Sequence, residues 1–250
     1  MRYAILSDIH ANLEALSAAL EHLSSEHIDT YLCTGDIVGY GADPSPCLER
    51  LQSLQAVCVA GNHEWGCIGK LDLQWFHETA RRALEWTRDQ LGFADLDVLR
   101  RMPLTAQVGP CTLVHGTLRC PERFEYLTDL AQTVEMAMRL DTPIGVYGHT
   151  HVPCLIEYDP QRRRLGRILT QEAELRDVRF LPDPSLRYVI NAGSVGQPRD
   201  GDPRASVAIL DVEARTVSIR RVPYDLAVTQ RKIRAAGLPT FLAERLALGH

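Results

Sequence analysis

Hydrophobic positions in the first half of the chain alternate between short apolar runs and longer stretches of helical periodicity. Residues 3–7 form an apolar run typical of a buried strand, and Leu13, Leu16, Leu20 and Leu23 then recur at spacings of three and four, as on one face of a helix. Similar patterns predict strands at 30–33, 56–60, 112–114 and 144–147, and helices at 46–54 and 127–140. Strand–helix–strand repetition predicts parallel strands joined by right-handed crossovers, and therefore an α/β sheet.

The second half of the chain follows a different pattern. Alternating apolar residues predict strands at about 153–158, 165–170, 187–190, 205–211 and 215–222, which without helices between them suggest an antiparallel meander. Residues 72–100 are predicted to be helical, and 225–248 form a helical tail broken by Gly237 and Pro239. No linker composition is present, so we interpret residues 1–250 as one domain with a helical insert at about 64–110 and a helical tail at about 225–250.

Composition and charge narrow the functional classes. The 27 Lys and Arg residues against 32 Asp and Glu residues give a net charge of −5, which argues against a broad nucleic-acid surface. No apolar run reaches the about 18–20 residues of a membrane span, and Asp8 interrupts the first apolar run before a signal peptide could form. Seven cysteines without a CxxC pair are typical of reduced thiols. We therefore expect a cytoplasmic protein with no membrane partner; no pattern predicts its oligomeric state.

Polar side chains follow five successive predicted strands at the points where those strands end. The segments are Asp8-Ile9-His10, Gly35-Asp36, Gly61-Asn62-His63-Glu64, His115-Gly116 and Gly148-His149-Thr150-His151. Asp36 lies 28 residues after Asp8 and 26 before Asn62, which matches βαβ units of roughly 30 residues. Ligands of open α/β sheets bind beyond the carboxyl ends of the strands, so we expect these side chains to meet at one rim.

The residue types at this rim point to metal binding. Imidazole nitrogens with carboxylate and amide oxygens suit borderline divalent ions such as Mn, Fe, Zn or Ni. A single histidine or aspartate would more often be structural, but seven donors at strand ends favour a metal site. Seven donors are too many for one tetrahedral ion and suit two ions about 3.5–4 Å apart that share a carboxylate. Asp36 is the predicted bridge, because it follows the second strand, between the other donors.

The combination Asp8-x-His10, Gly35-Asp36-x-x-Gly39, Gly61-Asn62-His63-Glu64, His115 and Gly148-His149-x-His151 resembles the calcineurin-like metallophosphoesterase superfamily over residues 1 to about 200. The short form with a small helical insert is similar to its YfcE-like bacterial branch. The resemblance implies an α/β fold, a four-layer αββα sandwich of two mixed β-sheets flanked by helices. It also implies a dinuclear centre with these roles: Asp8, His10 and His151 on one metal, Asn62, His115 and His149 on the other, Asp36 bridging, and His63 facing the substrate phosphate as a non-ligand.

These roles imply a metal-dependent phosphoric ester hydrolase that acts on small phosphomonoesters or phosphodiesters. A metal-bridging hydroxide attacks phosphorus, His63 stabilises the developing charge and protonates the leaving oxygen, and Asn62 contacts metal and phosphate. Two alternatives stay open. One is a metal-binding scaffold of the same fold without catalysis, and the other is a dinucleotide polyphosphate hydrolase.

Residues 35–41 depart from one branch of this superfamily. Protein Ser/Thr phosphatases carry an arginine in the motif GDxxDRG, whereas this segment reads GDIVGYG. One phosphate clamp is missing, which argues against phosphoprotein hydrolysis and mildly against the dinucleotide branch. Arg199, in the loop after Asn191-Ala192-Gly193-Ser194-Val195, is predicted as a substitute cation.

Four aromatic residues of the helical insert allow two interpretations. Trp65, Trp75, Phe76 and Trp86 could form a lid over the site or pack in a hydrophobic core. Large aromatic side chains more often serve the core, so we expect core packing.

Overall fold

The computed structural model of the chain describes residues 1–180 and 183–250, and its strands build two sheets. In chain order the strands are β1 (Arg2–Leu6), β2 (Thr30–Cys33), β3 (Val57–Cys58), β4 (Thr105–Val108), β5 (Cys111–Val114), β6 (Ile144–Tyr147), β7 (Cys154–Asp159), β8 (Arg164–Leu169), β9 (Val178–Arg179), β10 (Arg187–Asn191), β11 (Ala205–Asp211) and β12 (Thr216–Val222). The first sheet has the order β3-β2-β1-β11-β12-β9 and the second β4-β5-β6-β10-β7-β8.

Both sheets are mixed, and each contains parallel strands that position the site. In the first sheet β1, β2 and β3 are parallel, while β11, β12 and β9 continue it in antiparallel pairing. In the second sheet β5, β6 and β10 are parallel, while β4, β7 and β8 pair antiparallel. Each sheet thus contributes loops that follow parallel strands.

The helices lie outside the sheets and in the two helical segments. They are α1 (Leu13–Leu23), α2 (Pro44–Ser53), α3 (Asn62–Cys67), α4 (Glu78–Gln90), α5 (Phe93–Arg101), α6 (Leu130–Met138), α7 (Leu226–Ala235) and α8 (Thr240–Glu244). Helix α1 shows why they form where they do: the Asn12 side chain accepts the N–H of Ala15 at 3.1 Å, and Leu16 and Leu23 on one face are buried. None of the helices in residues 1–180 and 183–250 is both long and apolar enough to cross a membrane.

A hydrophobic layer joins the two sheets. It contains Ile5 and Leu32 of the first sheet together with Leu113, Val146 and Ile190 of the second, and all five are fully buried. Burying one such side chain stabilises the fold by about 1.5–3 kcal/mol. Two further clusters cover the outer faces, under α1 and α2 on one side and under α6 on the other. The layers therefore follow the order helix, sheet, sheet, helix, and the predicted α/β sandwich is confirmed.

Several predicted elements differ in detail. The predicted strand at 56–60 keeps only Val57–Cys58, because the N–H of Ala60 donates to Pro103 instead of to a strand. The predicted single meander of the second half is wrong: β7, β8 and β10 join the second sheet, whereas β11 and β12 join the first. The helix predicted over 127–140 begins only at Leu130, capped by the Asp129 side chain. The predicted break in the tail is confirmed at Gly237, whose φ is +70°.

Candidate metal centre

The structure brings all seven predicted ligands together at one rim of the sandwich. Asp8 and His10 follow β1, Asp36 follows β2, Asn62 begins α3 after β3, His115 follows β5, and His149 and His151 follow β6. The first four come from the first sheet and the last three from the second. The site therefore lies where the carboxyl ends of the parallel strands of both sheets converge.

The first group of donors consists of Asp8, His10 and His151. One ligand atom of each lies within 4.8 Å of the others, and all three side chains are buried. The two Nε2 atoms of His10 and His151 are 3.2 Å apart, and His151 Nε2 lies 3.3 Å from Asp8 Oδ1. This spacing fits three donors that point at one position.

The second group consists of Asp36, His115 and His149, and Asn62 adjoins it. His115 Nε2 lies 3.3 Å from Asp36 Oδ2, 3.0 Å from His149 Nδ1 and 3.1 Å from Asn62 Oδ1. Asp36 Oδ2 also lies 3.8 Å from His10 Nε2, and the carboxyl forms a further potential ligand group with His10 and His63. Asp36 therefore stands between the two groups, as the sequence predicts.

Main-chain carbonyl groups orient three of the imidazoles. The Nδ1 atoms lie beside carbonyl oxygens: His10 beside Val38 at 3.3 Å, His115 beside Thr34 at 2.8 Å, and His151 beside Gln197. A carbonyl oxygen only accepts, so each Nδ1 carries a hydrogen, and in the neutral ring each Nε2 presents a lone pair to the site. Two such lone pairs, on His10 and His151, face each other without a hydrogen between them. A cation between them would satisfy both, so the donor set fits divalent metal.

Electrostatics in the centre favour the ligand forms of the side chains. Burial alone would raise the pKa of Asp8 and of Asp36, but adjacent histidines lower both below the ordinary value. Burial lowers the pKa of His10, His149 and His151, which keeps these imidazoles neutral. At His115 burial also favours the neutral form, yet Asp36 raises the pKa to about 9. His115 is therefore the exception among these side chains, and metal binding to it would release a proton.

Five of the donors have an unusual backbone conformation. The φ angles are +51° at Asp8, +48° at His10, +51° at Asp36, +68° at His149 and +61° at His151, all in the left-handed region that non-glycine residues rarely adopt. Neighbouring loops hold this conformation: the N–H of Asp8 donates to Gly35 at 3.0 Å, and that of His10 to Asp36 at 2.9 Å. Local strain of this kind concentrates at functional sites.

Glu64 anchors two of these loops, a role that sequence reasoning missed. Its Oε1 accepts the N–H groups of Ile37 and Val38, and its Oε2 those of Asp36 and Gly61, at 2.7–3.2 Å. Burial and the charge of Asp36 raise the pKa of Glu64 to about 7, while the N–H groups lower it. Four donated N–H groups favour the ionised carboxylate. The available signal was an acidic residue at the third position of the helix that Gly61 caps.

His63 lies at the edge of the centre. Its Nε2 is 3.9 Å from Asp36 Oδ2, and its Nδ1 is buried without a hydrogen-bond partner among residues 1–180 and 183–250. Gly39 leaves the space for this ring, since a Cβ there would lie 2.1 Å from His63 Nδ1. Burial lowers the pKa of His63 to about 4, although Asp36 opposes the shift. Distance alone does not separate His63 from the ligands.

A cavity of about 500 Å³ opens over the centre. Its floor is formed by Asp36, Asn62, His63, His149 and His151. Its walls come from four other parts of the chain: the helical insert (Trp75, Phe76), the loop after β5 (Phe124, Tyr126), the loop after β10 with the predicted Arg199, and the tail with the unpredicted Arg245. The Tyr126 ring stacks on the His149 ring with centres 3.7 Å apart. The volume is in the range of small-molecule sites.

The predicted core packing of the aromatic residues is wrong for Trp75. This side chain is 83% exposed and faces the cavity, because it ends the 3₁₀ turn Leu73–Trp75 rather than lying inside a helix. Phe76 lines the cavity and also packs on two hydrophobic clusters. Trp86 packs against the tail, and Trp65 contacts the ring of Phe124 edge-on at 5.3 Å.

Comparison with known proteins identifies relatives along the whole chain. The family model for the calcineurin-like phosphoesterase superfamily domain matches residues 1–215. A metallophosphoesterase of Sphaerobacter thermophilus is 42% identical, covering 100% of this chain and 99% of that chain with a TM-score of 0.85. The uncharacterized protein MJ0912 of Methanocaldococcus jannaschii is 36% identical over 98% of this chain and 97% of its own. The hypothetical protein PH1004 of Pyrococcus horikoshii OT3 shares the fold at 20% identity, covering 100% and 98% with a TM-score of 0.76.

Proposed function

Because the chain belongs to the calcineurin-like phosphoesterase superfamily, we propose that it hydrolyses small phosphomonoesters or phosphodiesters at a centre of two divalent metal ions. The observation that carries this proposal is the pair of buried donor groups that meet at Asp36. Three donors on either side of one carboxylate are suited to two ions and exceed the needs of one.

The ligands divide between the ions by position. Asp8, His10 and His151 would hold one ion, Asn62, His115 and His149 the other, and Asp36 both. Nitrogen and oxygen donors of this kind suit Mn, Fe, Zn or Ni. Two bound ions would lower the pKa of a water molecule and neutralise charge on the phosphoryl oxygens.

The residues of the chain then bind and orient the substrate. Asn62 and His63 face the cavity beside the donors, so their side chains reach a phosphoryl group placed there. The His63 ring lines the cavity with its Nε2 on the side of Asp36, and we assign His63 to charge stabilisation and to protonation of the leaving oxygen. The aromatic walls contact the organic part of a small phosphoester.

Metal analysis combined with a substrate panel tests the proposal. Protein stripped with a chelator is reloaded with Mn, Fe, Zn or Ni and assayed with p-nitrophenyl phosphate, bis-p-nitrophenyl phosphate and diadenosine tetraphosphate. We expect two ions per chain and hydrolysis that returns with metal. Hydrolysis that survives complete stripping, or saturation at one ion, would contradict the proposal.

The same experiment separates the two alternatives. A scaffold would bind two ions and hydrolyse none of the three esters. A dinucleotide polyphosphate hydrolase would prefer diadenosine tetraphosphate over both nitrophenyl esters. The open cavity above the donors favours an enzyme over a scaffold.

A further inference from the structure

Two arginines at the cavity pair with no Asp or Glu side chain among residues 1–180 and 183–250. In the part of the chain that the structure describes, no side-chain carboxylate lies within 4.0 Å of the guanidinium of Arg199 or Arg245. Arg123 lines the same cavity but lies 3.7 Å from Glu125. Neither cation pairs with a described Asp or Glu side chain, which distinguishes both from Arg123.

Most hydrogen-bonding capacity of these two guanidinium groups stays unused within the described residues. Arg199 donates to Gln197 Oε1 at 3.0 Å, and its Nε is buried without a partner. Arg245 donates through Nε to the main-chain oxygen of His250, and its guanidinium lies 5.2 Å from the centre of the Phe241 ring. Buried or half-buried cationic donors without partners cost free energy, which an anionic ligand would recover.

The tail fixes the position of Arg245. Leu242 and Leu246, on either side of it, are buried against a cluster that includes Tyr40, next to the centre. Lys232 in α7 pairs with Asp43 at 2.9 Å, which ties the tail to the loop that precedes α2. Arg245 thus reaches the cavity on a packed segment.

The two cations face the same space. Burial and the charge of Arg199 both lower the pKa of Arg245. Burial, and to a smaller extent the charges of the same two arginines, lower the pKa of His77 at the cavity edge. An anion bound between the guanidinium groups would relieve this repulsion and use their free N–H donors.

We propose that Arg199 and Arg245 form a second anion site on the cavity wall, which binds a negatively charged group of the substrate other than the phosphoryl group that reacts. The proposal rests on the proposed function and specifies its substrate class: phosphoesters whose organic part carries a further carboxylate or phosphate. Arg199 comes from the loop after β10 and Arg245 from the tail, so two segments distant in the chain supply the site.

Matched inhibitors test this site in the manganese-loaded protein. Ethylphosphonate and propylphosphonate carry one anionic group, whereas phosphonoacetate and 3-phosphonopropionate add a carboxylate, and methylenebisphosphonate adds a second phosphonate. Each competes with p-nitrophenyl phosphate, with manganese in excess over inhibitor. We expect at least one doubly charged inhibitor to bind about tenfold more tightly than its singly charged match, the effect of one charge-assisted hydrogen bond. The carboxylate and phosphonate members show which anion the site prefers.

Substitution of the arginines decides where the preference arises. Arg199→Met and Arg245→Met should each reduce the ratio of the two inhibition constants to about threefold or less. Arg231→Met, which removes an exposed arginine of α7 outside the cavity, should leave the ratio unchanged. Equal binding of both inhibitor classes to the unsubstituted protein, or a ratio that survives both substitutions, would overturn the second site.

Two further outcomes of these measurements lead to different conclusions. If both inhibitor classes weaken equally in the variants, the arginines hold the reacting phosphoryl group and the second site is wrong. If the metal-loaded protein hydrolyses no ester, the proposed function fails, and the same ratio is measured by calorimetry, so that the anion site is accepted or rejected independently.

Discussion

The floor and the walls of the cavity are built in different ways. On the floor, Asp36, His149 and His151 are buried, hydrogen-bonded and held in strained backbone conformations. On the walls, Trp75 is largely exposed and Arg245 pairs with no Asp or Glu side chain of the described residues. The floor lies within the range matched by the family model, whereas Arg245 lies beyond it. If the proposed function is right, we expect the floor to carry the reaction and the walls to set selectivity.

This comparison makes a clear experimental distinction. A floor residue that acts on the phosphoryl group should affect every substrate, because every substrate presents that group. A wall residue contacts the organic part, so its loss should affect some substrates and spare others.

Asp36→Asn gives the largest expected effect, because an amide in place of the shared carboxylate removes charge from both ion positions. We expect metal and activity to be lost together for all substrates, by at least the roughly 10²–10⁴-fold attributed to one catalytic group. Metal content by mass spectrometry and turnover are measured on the same sample. Asp97→Asn, an exposed residue of α5 that pairs with Arg101, serves as the control. Unchanged metal content with full activity would exclude Asp36 as the bridge.

His63→Gln sharpens the distinction between ligand and non-ligand on the floor. We expect both metals to remain and kcat to fall by roughly 10²–10⁴-fold for mono- and diesters alike. Metal titration and steady-state kinetics measure the two quantities. Because His63 lies only 3.9 Å from Asp36, loss of one metal in this variant would reassign it as a ligand.

Glu64→Gln tests whether the strained loops need their anchor. In the variant, the amide NH₂ would face main-chain N–H groups that the carboxylate of Glu64 accepts in the unsubstituted protein. We therefore expect about 10–100-fold weaker metal binding and a decrease of about 1–3 kcal/mol in the free energy of unfolding. Thermal unfolding with and without metal, together with metal titration, provides both values. Glu49→Gln on the exposed surface of α2 is the matched control. Equal melting temperatures for the two variants would refute the anchoring role.

Trp75→Ala gives the smallest expected effect and tests the walls. Loss of one aromatic contact of about 0.5–1.5 kcal/mol should raise KM for p-nitrophenyl phosphate by roughly 2–10-fold. The ratio of kcat/KM for p-nitrophenyl phosphate over glycerol 2-phosphate should fall by the same factor. If kcat falls equally for both esters, Trp75 acts on the reaction itself and the division between floor and walls is wrong.

The sequence predicts the floor much better than the walls, for physical reasons. Donors such as Asp8 and His149 directly follow strands, so local pattern and strand order together place them at one rim. The left-handed backbone at these positions is not readable from the sequence, because aspartate and histidine more often adopt ordinary conformations.

The walls depend on packing between segments that are distant in the chain. Trp75 looks like a core residue until the 3₁₀ turn that carries it is known. Arg245 reaches the cavity only because α7 and α8 pack near Tyr40, and no local spacing encodes that contact. The short strand β3 and the division of the second-half strands between two sheets likewise follow from tertiary pairing.

The left-handed backbone at the donors has a consequence for protein engineering. An exchange of His10 or His149 for another metal-binding residue must suit both the ion and a φ near +50° to +70°. Aspartate and asparagine tolerate that region better than most residues and favour harder ions, whereas threonine and other β-branched residues do not tolerate it. Attempts to retune the metal preference of this scaffold should therefore begin with histidine-to-aspartate exchanges, and β-branched residues at these positions should strain the loops by about 1–3 kcal/mol each.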